Sequence, residues 1–454
     1  MSTAKTERLP MSQSQESWLV VGAGLAGALA AIYLARSGRK VLLYEKRSDP
    51  RGTTMEGGRS INLALSTRGL AALEGVGLAE KTLEAGVPMQ GRMIHDEQGD
   101  TSFQPYGKDE SQVIHSISRG GLNLTLLEAL STEPNVELFF DQRCINVDLE
   151  EPAAEFEHAK TSERTRVSPD VVLGADGAFS AVRARMQIED RFSYRQEYLE
   201  YGYKELNIPP TEDGGFALEK NALHIWPRRN YMMIALPNAG GSYTCTCFWP
   251  FAGRHGFDQL TTSADVRSFF KAHFYSAAAL MPDLEQDFFN NPTSSLVTIR
   301  CAPWYKSDKV LLLGDAAHAV VPFYGQGMNA AFEDCLDLDQ CLRLHPGDRL
   351  SAFAEFYRRR KRHADALARL AVDNFIEMRD HVGSPTFVWK KRLEIVVQKL
   401  LPWYRSLYSM VSFSRIGYAD AIAIHERQKR TVKRTLWALG IAAIAFTVWR
   451  ISRQ

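Results

Sequence analysis

The stretch 18–46, WLVVGAGLAGALAAIYLARSGRKVLLYEK, constrains what this chain can fold into more than any other. An apolar run of strand type at 18–21 leads into Gly22, Gly24 and Gly27, spaced G-x-G-x-x-G. Small, helix-favouring residues follow at 25–34, Gly38 supplies a helix stop, and a second apolar strand at 41–44 ends on Glu45. The pattern predicts a βαβ unit in which each part has chemistry attached. The first two glycines let backbone N–H groups approach a pyrophosphate, Gly27 lets the helix lie close on the sheet, and the helix N-terminus offers partial positive charge. Glu45 stands where a carboxylate accepts hydrogen bonds from ribose hydroxyls. A glycine-rich turn without a ligand is the competing reading, and the acid ending the next strand disfavours it.

A chain of 454 residues can bury a large core and holds two or three domains or layers. Its 54 Lys and Arg against 53 Asp and Glu argue against nucleic acid as a partner, because phosphate binding needs concentrated basic charge. Six scattered cysteines, without C-x-x-C or metal spacing, read as reduced thiols, with Cys245 and Cys247 on one face of a strand. The first 17 residues are polar and lack the apolar core of a secretory signal; they read as a disordered tail.

Two further segments repeat the chemistry of the first. In DVVLGADGAFS a buried strand ends on Gly174 and Asp176; in VLLLGDAAH another ends on Gly314 and Asp315. The latter continues through PFYGQGMN into a helix carrying Glu333 and Asp334. Three distant segments thus place glycine and acid at the carboxyl end of a strand, as expected of one FAD site, since FAD is long enough to need all three. Asp315 can hold a ribityl hydroxyl. The N–H groups around Gly327, Met328 and Asn329, at a helix start, can stabilise negative charge on a reduced isoalloxazine ring.

The other segments say less when taken alone. Ser66 is placed to cap a helix beginning near Arg68. Runs 89–95 and 101–104 predict a hairpin, with Arg92 and Tyr106 near its ends. Arg119 sits just before a helix, where it meets a phosphate or flavin edge or pairs with an acid. Strands at 136–140 and 144–147 are followed by a charged, low-order tip at about 150–166. From about 190 to 300, alternating apolar rows predict an inserted mixed or antiparallel sheet. Its aromatic rows read first as core and second as a substrate-pocket wall. Beyond 350 the chain is helical, and Asn374 shares a helix face with Glu377 or Met378. Residues 436–449 form an apolar run between basic flanks, a candidate membrane tether, spanning or interfacial; a helix docked on the body or an oligomer contact is the alternative.

With GAGLAG, GADGAFSAVR and GDAAHAVVPFYGQGMN in hand, the chain resembles the group A FAD-dependent aromatic monooxygenases of the para-hydroxybenzoate hydroxylase type. GRSINLALSTRG, PMQGRMIH, PYG, LHIWPR, MMIALPN, FEDC, DNFIEMR and LYSMVSFSRI make it similar, within that group, to the kynurenine 3-monooxygenases. The resemblance implies an α/β architecture: a Rossmann-like FAD-binding domain (18–185, returning at 301–345) and a mixed or antiparallel substrate-domain sheet (186–300). A helical C-terminal region (346–430) and the apolar helix 431–454 follow, with the tail 1–17 ahead. It implies that Arg92, Tyr106, Asn374 and Tyr408 bind the amino-acid end of L-kynurenine and that Phe323 and Gln326 lie between substrate ring and flavin. Glu45, Lys46, Ala64, Arg119, Cys144, Asp315, Met328 and Asn329 are implied to contact FAD. The implied reaction uses O2 and NADPH, which would visit without a dinucleotide fold of its own because no second G-x-G-x-x-G exists. Its implied place is tryptophan degradation and NAD biosynthesis, on the cytoplasmic side, with the C-terminal helix as candidate tether.

Overall fold

A computed structural model describes residues 15–52, 62–107, 112–377, 379, 401 and 403–452. Residues 1–14 of the expected tail, the 57–60 loop and Met378 lie outside the described residues. The last part of the expected tail is ordered: Ser17 opens the first strand, and Glu16 pairs with Arg39 and Arg349.

The strands Ser17–Val21, Lys40–Tyr44, Val136–Phe139, Val171–Gly174 and Val310–Leu312 form a parallel sheet. Strand Tyr305–Lys306 adds an antiparallel edge. Within it Val310–Leu312, Val171–Gly174 and Ser17–Val21 are immediate neighbours, in that order. Their near-continuous apolar sequence follows from burial on both faces. Helix Leu25–Arg36 packs between this sheet and helices Arg119–Leu130 and Gly327–Leu344, and every residue from Gly27 to Ala35 is buried.

The second sheet has seven strands, ordered Ser294–Ala302, Ser193–Ile208, Tyr243–Pro250, Met232–Pro237, Ala222–Pro227, Gly91–His95 and Thr101–Pro105. All pairings are antiparallel except that of Gly91–His95 with Ala222–Pro227. The hairpin with Arg92, assigned by sequence to the 18–185 domain, thus belongs to this sheet. The reason is the long-range parallel pairing of Arg92 with Leu223, which no local pattern encodes.

The aromatic rows serve both readings, one on each face. Tyr243, Cys245, Cys247 and Trp249 alternate onto a core with Phe270, Phe274 and Phe288. Phe248 faces the other way, toward Phe323 and Phe375. Cys245 and Cys247 share a face as expected, and all six cysteines are free thiols. The tip at 150–166 is more ordered than its charge suggested. Gln142–Asp148, Ala153–His158 and Arg164–Val167 form an antiparallel sheet, because the charges pair across strands, Arg143 with Glu157 and Arg166 with Glu155.

His95 and His224, on neighbouring strands of the seven-stranded sheet, meet Nε2 to Nδ1 at 2.9 Å. His224 Nε2 donates to the Glu219 carbonyl at 2.8 Å, which fixes the tautomer and leaves Nδ1 to accept from His95. Burial, then each other's charge and that of Arg228, hold the His95 imidazole down to about 3; burial also lowers His224. Above about pH 6.5 both are neutral folded or unfolded and the pair is without effect on pH dependence. Below that, only the unfolded chain takes up protons. Stability is therefore expected to fall between about pH 6.5 and 3 through His95, by up to ~1.4 kcal/mol per pH unit, with His224 adding in the same direction. Urea unfolding at pH 7 and 5 checks this; His224→Gln should flatten the dependence, and an unchanged slope would refute the assignment.

Helices Gly327–Leu344, Arg349–Ile376, Leu407–Ser412 and Tyr418–Ile451 complete the described fold. Among the described residues no helix is long and apolar enough to cross a membrane. The apolar run 436–449 covers ~21 Å of helix against ~30 Å of hydrocarbon.

Candidate active site

The three glycine-and-acid segments converge because their strands are adjacent and parallel, so their carboxyl ends share one sheet edge. Gly22 adopts φ +102, and a Cβ there would come within 2.7 Å of the Ala175 carbonyl oxygen. A Cβ on Gly27 would lie 1.9 Å from the Gly22 carbonyl oxygen, so only glycine lets the helix sit this close. At Gly24 a Cβ would meet nothing within 4 Å; that open space faces the N-terminus of helix Leu25–Arg36, whose first turn has no acidic residue. The two glycines should therefore separate in experiment. Gly27→Ala is expected to destabilise the FAD-free protein by about 1–3 kcal/mol through overpacking. Gly24→Ala should leave the FAD-free melting temperature unchanged and weaken FAD binding. Calorimetry on stripped protein, with FAD titration, distinguishes them.

Glu45 is buried, and its carboxylate accepts from the Ala23 N–H at 2.9 Å and from Arg47 at 2.7 Å. Burial works to raise its pKa, but Arg47 and the backbone donors hold it below the usual range, so it is an anionic acceptor. Lys46 follows, exposed. Asp176 accepts from the Ala181 N–H at 2.6 Å, while its Oδ1 is buried without a hydrogen-bond partner among the described residues. Burial raises the Asp176 carboxyl; burial and the Asp176 charge push the neighbouring Cys144 thiol up to about 12. Asp315 opens onto the cleft but is surrounded by protein. Burial raises its pKa, His318 and then Arg119 oppose that rise, and Arg119 begins its own helix with Ser118 as cap.

Asn329 lies in the first turn of helix Gly327–Leu344. Its side chain is fully buried, donating to the Ala64 and Gly325 carbonyls at 2.8 and 2.9 Å and accepting from the Ser66 N–H at 2.9 Å. It pins strand Asn62–Leu65 to the helix start. Ser66 heads helix Thr67–Glu74 without a side-chain cap; its hydroxyl lies 3.4 Å from Gln326 Oε1 instead.

Behind the Asp315 loop lies a buried charge network. Asp334 accepts from the Gly314 N–H at 3.2 Å, from His318 at 2.6 Å and from Arg360 at 2.6 Å. Glu333 is shared by Arg360 at 2.6 Å and Arg68 at 2.9 Å. Gly314, at φ +62, is thus held by a carboxylate one helix away.

On the seven-stranded sheet, Arg92 meets an aromatic ladder. Its guanidinium lies 4.9 Å from the Tyr408 ring centre and 5.8 Å from that of Tyr106. The Tyr106 and Tyr408 rings stack at 5.5 Å, and Tyr408 stacks on Tyr324 at 5.8 Å. Arg92 Nε is buried without a hydrogen-bond acceptor among the described residues. Burial works against its charge, yet Tyr408, Tyr106 and Glu377 keep its pKa above the ordinary value. Burial drives the Tyr106 phenol well above the usual range, so it stays a proton donor. The set can take an anion of carboxylate size.

Asn374 is buried beside this ladder, donating to the Phe323 carbonyl at 2.6 Å. Phe323 stacks on Phe375 at 4.1 Å, in an apolar layer with Phe248. Gln326 is buried, its Oε1 accepting from the Tyr418 hydroxyl at 3.2 Å, so its side chain turns toward the C-terminal helix. Tyr324 and Arg68 escaped the sequence reading; Tyr324 stood between two singled-out residues, whereas nothing local marked Arg68.

A family model described as "FAD binding domain" matches residues 16–370. A kynurenine 3-monooxygenase of Myxococcus xanthus is 49% identical over 410 residues, covering 90% of this chain and 88% of that one. One of Salinispora arenicola is 44% identical over 452 residues, covering 98% and 99%. The chain belongs to the kynurenine 3-monooxygenase family. It is an FAD-binding flavin monooxygenase, and the cradle at Gly24, the orphaned Asp176 oxygen and the anionic Glu45 all fit FAD. The fold is shared with tetrameric 2-methyl-3-hydroxypyridine-5-carboxylic acid oxygenase, at TM-score 0.66 and 20% identity over 83% of this chain and 96% of that one.

Proposed function

We propose that this family member hydroxylates L-kynurenine to 3-hydroxy-L-kynurenine with NADPH and O2, serving tryptophan degradation and NAD biosynthesis. The observation that carries the substrate is the Nε of Arg92, buried without an acceptor among the described residues, inside the Tyr106–Tyr408–Tyr324 ladder. A carboxylate attached to an aromatic amine supplies the missing acceptor and a ring for the apolar layer of Phe323 and Phe375.

FAD, held by the cradle at Gly24, Glu45 and Asp176, would supply the redox chemistry between NADPH and O2. The chain's own residues bind and orient. Arg92 and the protonated Tyr106 hold the carboxylate, and Asn374 fixes the backbone of the Phe323 turn. The apolar layer around Phe248 excludes water from the ring. An aniline is already electron-rich at the ortho carbon, so no strong general base is required of the site.

NADPH oxidation with and without L-kynurenine tests this reading. Substrate is expected to accelerate it, limiting wasteful peroxide formation; a rate indifferent to L-kynurenine would count against it. We place the protein on the cytoplasmic side, its C-terminal helix lying at a membrane interface. Support comes from the exposed Lys429, Arg430, Lys433 and Arg434 ahead of the apolar run.

A further inference from the structure

Arg68 has no part in the chemistry described so far, yet no other described cation ties together as much of the site. It is the second residue of helix Thr67–Glu74 and is fully buried. Each guanidinium nitrogen has a separate acceptor. Nη1 donates to Glu333 at 2.9 Å, Nε to the Val411 carbonyl at 3.1 Å, and Nη2 to the Ile416 carbonyl. Its flat face lies 4.2 Å from the Tyr418 ring centre.

These acceptors belong to different parts of the site. Glu333 is on helix Gly327–Leu344 and is also held by Arg360. Val411 lies on helix Leu407–Ser412, which carries Tyr408, and Ile416 lies just beyond it. Tyr418 closes the circuit by donating to Gln326, the residue that heads helix Gly327–Leu344. The chain between residues 404 and 418 packs Met410, Val411 and Tyr418 against Ala330 and Leu367, and Arg68 adds the charged tie between this segment and the FAD-binding body. That docking sets how far Tyr408 stands from Arg92.

We propose that Arg68 is a positioning residue that holds the Tyr408 segment against the flavin-binding helix, and so sets the affinity and placement of L-kynurenine. The proposal rests on the substrate reading above. Lysine cannot replace it: a single ammonium can keep Glu333, but it cannot also reach two carbonyls while lying flat on Tyr418. A buried cation with unmet donors on one side and two carbonyls left without a donor on the other would loosen residues 407–416.

The test uses FAD-loaded Arg68→Lys, with Tyr418→Leu as a second variant that removes the ring beneath the guanidinium. Two readouts are taken: L-kynurenine affinity from the absorbance change of bound FAD, and hydrogen exchange of amides 407–416. Both variants are expected to bind L-kynurenine about tenfold more weakly and release more peroxide per NADPH, as the loss of charge-assisted bonds implies. Exchange at 407–416 should quicken while FAD content is kept. A lower melting temperature with unchanged affinity and exchange would overturn the proposal, leaving Arg68 a purely structural residue. If Arg68→Lys does not fold, the same two measurements on Tyr418→Leu support or overturn the proposal in the same way. If the parent enzyme itself ignores L-kynurenine, the substrate reading falls, and the exchange measurement still decides whether Arg68 holds the segment.

Discussion

Arg92→Ala is expected to weaken L-kynurenine binding by about 2–4 kcal/mol, or about 30- to 1000-fold. The size follows from what is lost: a half-buried guanidinium whose Nε is buried without an acceptor among the described residues and which lies against the Tyr106 and Tyr408 rings. Removing it leaves the substrate carboxylate desolvated with neutral donors such as the Tyr106 phenol and without its cation. The effect should appear in KM and in the dissociation constant, since Arg92 lies on the substrate-domain sheet, away from the sheet edge that holds FAD. FAD content and basal NADPH oxidation should hold. Titration of L-kynurenine against bound-FAD absorbance measures the loss, and a variant that bound L-kynurenine normally would remove the basis for the substrate assignment.

Arg360→Met is expected to cost about 3–5 kcal/mol of stability, because it strips the partner from carboxylates that stay buried. Arg360 is 2% exposed and binds Glu333, Asp334 and Asp337 at 2.6, 2.6 and 3.3 Å, with the Ala330 carbonyl at 3.1 Å. His318 and Arg68 would remain, but Asp337 would lose its cation, and burial already raises its pKa. Asp334 also anchors Gly314, so FAD affinity should fall with stability. The exposed Arg358, paired with Glu355 on the same helix, supplies the comparison: Arg358→Ala should leave unfolding nearly unchanged. Urea unfolding of the three proteins tests this, and an Arg360→Met protein matching the parent would show that the network does not hold the Asp315 loop.

What the sequence disclosed was chemistry that is local. Glycine beside acid at a strand's end is written in a few consecutive residues, and adjacency of the three strands then made it one site. Arg92 and Tyr106 were visible as a cation and a phenol on a hairpin, but their sheet was not, because it depends on pairing Gly91–His95 with a strand more than a hundred residues later. The ordered sheet at 142–167 was hidden by its charges, whose pairing across strands a linear reading cannot see. Asn329 and Gln326 look like cofactor and substrate contacts in one dimension. In three, their side chains also hold Ala64, Ser66 and Tyr418, ties that the linear sequence does not show. Arg68 was illegible for the same reason: an arginine at the start of an ordinary helix looks like solvent-facing charge until its three acceptors come from distant segments.

The central claim is best tested by mixing FAD-loaded enzyme with NADPH, L-kynurenine and heavy-isotope O2, and reading product mass against NADPH consumed. One labelled oxygen gained per NADPH is the predicted result. NADPH consumption that yields only hydrogen peroxide, with L-kynurenine recovered unchanged, would contradict it.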